Sequence, residues 1–76
     1  MRDFIEFIVK HLVENPDLVT ISEEESEGRY LYRLSVGSGD LGRVIGKEGR
    51  TAKALRTILM AASARKGQQA SLEILD

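Results

Sequence analysis

Val44-Ile45-Gly46-Lys47-Glu48-Gly49-Arg50 is the stretch of this 76-residue chain whose residue types and spacing could do chemistry. Two glycines stand three apart with a lysine between them, and an arginine follows, at what reads as the junction of two helices. Glycine permits a positive φ and lets a second molecule approach without a Cβ in the way. A helix opening at Arg50 presents unpaired N–H groups and the positive end of its dipole to whatever lies over the loop. Those properties suit a phosphate-bearing chain.

Rival chemistries fit less well. Gly37-Ser38-Gly39-Asp40-Leu41-Gly42 matches the dinucleotide fingerprint in form, but no acidic residue follows about 20 positions on to hold a ribose. A P-loop fails on spacing: three residues separate Gly42 from Gly46, and Glu48 stands where a magnesium-binding hydroxyl belongs. The acidic run Glu23-Glu24-Glu25-Ser26-Glu27-Gly28 lacks the alternating ligands of a calcium loop and reads as a solvated hairpin tip. With no cysteine, a thiol nucleophile and a thiolate metal site are both excluded. His11, the one histidine, falls among core-facing positions of the first helix and reads as structural. No nucleophile, acid–base pair or metal set emerges, so the expectation is a protein that is not an enzyme and needs no cofactor or metal.

Composition sets the frame for that loop. At 42% hydrophobic and 30% charged, the chain is that of one folded domain over residues 1–76. The acids of Met1-Arg2-Asp3-Phe4-Ile5-Glu6 interrupt any signal-peptide core, and no apolar run approaches the ~20 residues of a membrane span, so a soluble cytoplasmic protein is expected. A net charge of −1 speaks against nucleic acid until its distribution is read. From Arg43 to Lys66 seven basic residues face one acid, Glu48, for a charge of +6, and the rest of the chain carries −7. A polarised molecule of this kind can bind a polyanion through one face.

The elements that must position the loop follow from periodicity. Phe4, Ile5, Ile8, Val9 and Leu12 recur at helical spacing over residues 3 to about 14, with Phe7 and Val13 widening the stripe, and Asn15-Pro16-Asp17 ends the helix. Leu18–Ser22 and Tyr30–Val36 read as strands of an antiparallel hairpin, with Tyr30, Tyr32, Leu34 and Val36 on one face. Asp40 is a candidate N-cap for a short helix over Leu41–Ile45. A second helix runs from about Arg50 to Arg65 and stops at Gly67. Its core side is Ala52, Leu55, Ile58, Leu59 and Ala62, while Arg50, Lys53 and Arg56 share the opposite arc. Ala70, Leu72 and Ile74 face inward from a last strand, which a helical crossover returns parallel to the second. The fold class is α+β, ordered α-β-β-α-α-β, with a three-stranded mixed sheet and three helices packed on one face.

In that context Gly46-Lys47-Glu48-Gly49 is a G-x-x-G loop, the element with which KH domains clamp about four nucleotides of backbone. The chain resembles a type II KH domain and, more closely, the small stand-alone bacterial KH proteins of the KhpA family. The resemblance rests on Ile8-Val9-Lys10, Leu12-Val13, Asn15-Pro16-Asp17, the fifteen residues from Gly42 to Arg56, and the closing strand. Gly37-Ser38-Gly39 departs from the stiffer segment expected there and is read as loosening the approach to the Leu41–Ile45 helix. The family implies sequence-tolerant binding of single-stranded RNA and an RNA-chaperone role. It also implies self-association as a homodimer, or pairing with a larger KhpB (Jag)-type partner, in envelope and cell-shape homeostasis.

On this reading Arg43, Gly46, Lys47, Glu48, Gly49, Arg50, Lys53 and Arg56 form the RNA site, with Val44 and Ile45 as its apolar floor. Glu48, which repels phosphate, is assigned a solvent-facing or helix-start role. An alternative from another class is a protein-interaction or dimerisation module. Its basic face would meet an acidic partner, and Ala54, Met60, Ala61 and Ala64 would supply a self-complementary contact.

Overall fold

A computed structural model describes residues 1–75. Helix α1 (Arg2–Leu12) buries Ile5 and Val9 against the sheet and ends before a single 3-10 turn at Pro16–Leu18. Strands β1 (Thr20–Ser26) and β2 (Arg29–Ser35) pair antiparallel, and β3 (Gln69–Ile74) pairs parallel to β2, in the order β1-β2-β3. Between β2 and β3 run α2 (Leu41–Ile45) and α3 (Arg50–Ala64). The α-β-β-α-α-β order and the mixed sheet are therefore as periodicity predicts.

The core lies between helices and sheet. Ile5 and Val9 of α1 meet Ile21, Tyr32, Leu34 and Leu72 of the strands and Val44, Leu55 and Leu59 of the other helices. Ala52 and Ser63 complete the buried face of α3, with the Ser63 hydroxyl donating to the Leu59 carbonyl at 2.7 Å. Ile58, expected in the core, lies on a flank of α3 and remains partly exposed. On the open face of the sheet Arg33 pairs with Glu24 on one side and Glu73 on the other, tying the three strands together.

Three further sequence expectations about the elements require correction. Strand β1 continues through Glu23, Glu24 and Glu25, leaving only Glu27-Gly28 as the turn, both at positive φ. An edge strand can carry glutamates because its backbone pairs with β2 while the side chains reach water, so charge bars burial without barring a strand. Phe7 is 62% exposed and packs against His11 with the rings tilted by 49° and their centroids 4.5 Å apart, and His11 is itself exposed, so it lies on the solvent side of α1 instead of among the core residues. Ser38–Asp40 forms a 3-10 turn closed by Asp40 N–H donating to the Gly37 carbonyl at 2.8 Å, and a Cβ on Gly37 would stand 2.9 Å from the Leu18 side chain. That segment is a packed turn, not a loosened one.

Candidate nucleic-acid interface

The G-x-x-G loop is built by two glycines with different duties. Gly46 closes α2, its N–H donating to the Gly42 carbonyl at 2.8 Å, and then turns the chain at φ 77°, ψ 173°. Only glycine adopts that region readily. A Cβ there would also come within 2.2 Å of Thr51 Oγ1 and 2.8 Å of the Thr51 nitrogen, so Thr51 fills the space beneath the turn. Gly49, at φ 75°, ψ 13°, caps α3, and nothing lies within 4 Å of where its Cβ would be. The approach over Gly49 is open. Thr51 was not predicted to hold the turn, and no sequence pattern marks it, because its role is a contact with a residue five positions back.

Lys47, Arg50 and Lys53 are exposed, and none forms an ion pair among the described residues. Arg43 is different: its guanidinium pairs with Glu14 and lies 3.5 Å from Asp40. Arg56 turns away from the loop toward β3, where Nε–H donates to the Leu72 carbonyl at 3.3 Å. Of the two apolar residues expected under a ligand, Val44 is 0% exposed and belongs to the core, so it supports the loop from below; Ile45, 38% exposed, is the one the surface presents. Glu48 is exposed and held at φ 57°, left-handed backbone that a residue with a side chain rarely adopts.

Asp40 does not cap α2. Its carboxylate is 1% exposed and accepts the backbone N–H groups of Glu14 and Asn15, each at 3.0 Å. These hydrogen bonds, the Glu14 N–H first, with the Arg43 charge beside them, hold its pKa below the ordinary carboxylate value against the opposing effect of burial. The carboxylate thus anchors the start of α2 to the chain leaving α1. It fixes the platform on which the loop stands.

Strand β3 is an edge, and α3 runs beside it. Two adjoining cavities lie in the groove between them, one of about 120 Å³ lined by Arg56, Leu59, Met60 and Leu72, the other of about 350 Å³ lined by Met60, Gln68, Gln69 and Ala70. Met60 is 58% exposed, and Ala54, Ala61 and Ala64 are also on the outer side of α3. Among the described residues no group of acids and histidines is arranged to hold a metal ion, and no helix is long and apolar enough to cross a membrane.

The sequence family described as KhpA/KhpB, KH domain, matches residues 2–74. The chain belongs to the KhpA/KhpB KH-domain family. Similar proteins include the RNA-binding protein KhpA of Listeria monocytogenes, 45% identical with all of both chains covered. KhpA of Chlamydia trachomatis is 43% identical over all of this chain and 97% of its own, and KhpA of Aquifex aeolicus 45% identical over all of this chain and 96% of its own. These relatives are named as binding proteins, and the KhpA/KhpB family is not enzymatic. In fold, the chain is similar to part of a crystal structure of Aquifex aeolicus Era bound to GDP and aluminium fluoride. The TM-score is 0.65 at 15% identity, and the match covers 96% of this chain and 28% of that one.

Proposed function

We propose that this chain is a single KH domain over residues 1–76 that binds single-stranded RNA with low sequence specificity, gripping its backbone with Gly46-Lys47-Glu48-Gly49. The observation that carries the reading is the open space over Gly49 beside three unpaired cations, Lys47, Arg50 and Lys53. Backbone N–H groups at the start of α3 and these side chains hold phosphates. Ile45 contributes the apolar contact, and Arg56 lies at the groove along β3. Arg43 acts mainly through its bond to Glu14, and Val44 from within the core. Four aromatic residues in the whole chain, none of them in the loop, leave little base stacking, so binding is modest and salt-dependent.

Membership of the KhpA/KhpB family supports placing the protein in the cytoplasm as an RNA chaperone. It would act there with a larger KhpB/Jag-type partner in envelope and cell-shape homeostasis. Lys47→Asp combined with Glu48→Asp is expected to abolish binding of a single-stranded RNA oligomer while circular dichroism stays that of the folded protein. Unchanged affinity across a salt titration would sink the reading.

A second role is favoured by the outer side of α3, where Met60 is 58% exposed beside Ala54, Ala61 and Ala64. Small residues allow two helices to approach closely, so a homodimer, or the same contact with the KhpB/Jag-type partner, forms there. Sedimentation of wild type should give a dimer mass that Ala61→Glu reduces to a monomer. A monomer in both removes the homodimer.

A further inference from the structure

Glu48 is the loop residue that the clamp does not explain. Its φ of 57° sets it in left-handed backbone, where glycine, asparagine or aspartate would be less strained. Nothing inside the chain offsets that strain: among the described residues its carboxylate makes no hydrogen bond and no ion pair, and it is exposed. It stands next to Lys47 and two residues from Arg50, whose ammonium and guanidinium groups are likewise unpaired. A carboxylate so placed lowers the positive potential over Gly49, where the surface is open. The other acids near this end, Glu14 and Asp40, are occupied by Arg43 and by backbone N–H groups. Glu48 is therefore the one acid of the loop free to act on an approaching anion.

We infer that Glu48 is an attenuator of the clamp, a resident negative charge that weakens, through space, the attraction of the Lys47 and Arg50 side for RNA phosphate and keeps the complex weak and exchangeable. The inference rests on the RNA-binding reading above and adds the sign of this residue's contribution. In the empty loop the carboxylate relieves repulsion between the two cations. In the complex it faces phosphates across several ångströms of solvent and opposes them. Two unit charges at roughly 6–8 Å, separated by solvent with an effective dielectric of about 40–80, alter an equilibrium about three- to ten-fold. The effect must fade as salt shortens the screening length from ~10 Å at 0.1 M.

The test measures affinity for a single-stranded RNA oligomer by fluorescence anisotropy between 50 and 300 mM salt, values chosen to bracket the ~8–10 Å screening range. It compares wild type with Glu48→Gln, Glu48→Asp and Glu48→Gly. Glu48→Gln, which keeps the length and loses the charge, should bind about three- to ten-fold tighter at low salt, with the gain shrinking as salt rises. Glu48→Asp keeps the charge and should stay weaker than Glu48→Gln at every salt. Glu48→Gly should match the affinity gain of Glu48→Gln and also raise the denaturation midpoint, separating charge from backbone strain. Glu48→Gln binding no tighter than wild type overturns the inference while leaving the clamp standing. Absence of any salt-dependent binding by wild type overturns both.

Discussion

At the scale of single residues the two loop glycines are not equivalent, although the motif writes them with the same letter. Gly49 meets nothing within 4 Å, so Gly49→Ala carries only the cost of left-handed backbone, about 1–2 kcal/mol. Gly46→Ala must in addition push its methyl into Thr51, 2.2 Å from the hydroxyl, so it should cost more than Gly49→Ala in urea denaturation. Equal losses would mean that Thr51 gives way freely. The pattern G-x-x-G was legible in the sequence because glycine spacing is local. The distinction between its members was not, since it depends on what sits beneath each Cα.

Elements are joined at one buried carboxylate. Asp40 holds the segment leaving α1 to the start of α2 through two backbone N–H groups, and its folded-state pKa is depressed below the unfolded value. A depressed carboxylate contributes stability that is present above the unfolded pKa of about 3.9 and is lost as pH falls through the lower folded value. Asp40→Asn should therefore be less stable than wild type at pH ~7, and the gap should narrow below pH ~4 as wild-type Asp40 protonates. Urea midpoints at several pH values read this, and a gap independent of pH would assign the loss to shape instead of charge. As an N-cap candidate, Asp40 was located correctly by sequence and given the wrong partner. Capping is a short-range pattern, whereas Glu14 and Asn15 lie 26 and 25 residues away along the chain. Strand β1 shows the same limit: its glutamates resemble a loop until pairing with Tyr30, Leu31 and Tyr32 extends the hairpin.

Over the whole molecule the basic segment divides. Helix α3 has 15 residues and is about 22 Å long, so Arg65 and Lys66 stand at the end opposite the loop, near the β1–β2 turn that Gln69 N–H meets at Gly28. Arg65→Gln with Lys66→Gln should weaken RNA binding less than Lys47→Gln with Arg50→Gln. With Lys47, Arg50 and Lys53 as the contacting cations, log affinity should fall against log salt with a slope of about −2. A slope near twice that would bring Arg43, Arg56 or the far pair into the site. By itself the sequence determined the α-β-β-α-α-β order, the loop between two helices and the set of cations around it, because helical and strand periods, glycine spacing and charge are properties of neighbours. Only the tertiary structure decided which cations remain free, Arg43 being held by Glu14 and Arg56 by the β3 edge. Those pairings join residues 29 and 16 positions apart, and packing, not local pattern, brings them together. The loop at Gly46–Gly49 was visible from the start, but its free charge was set by partners that only folding supplied.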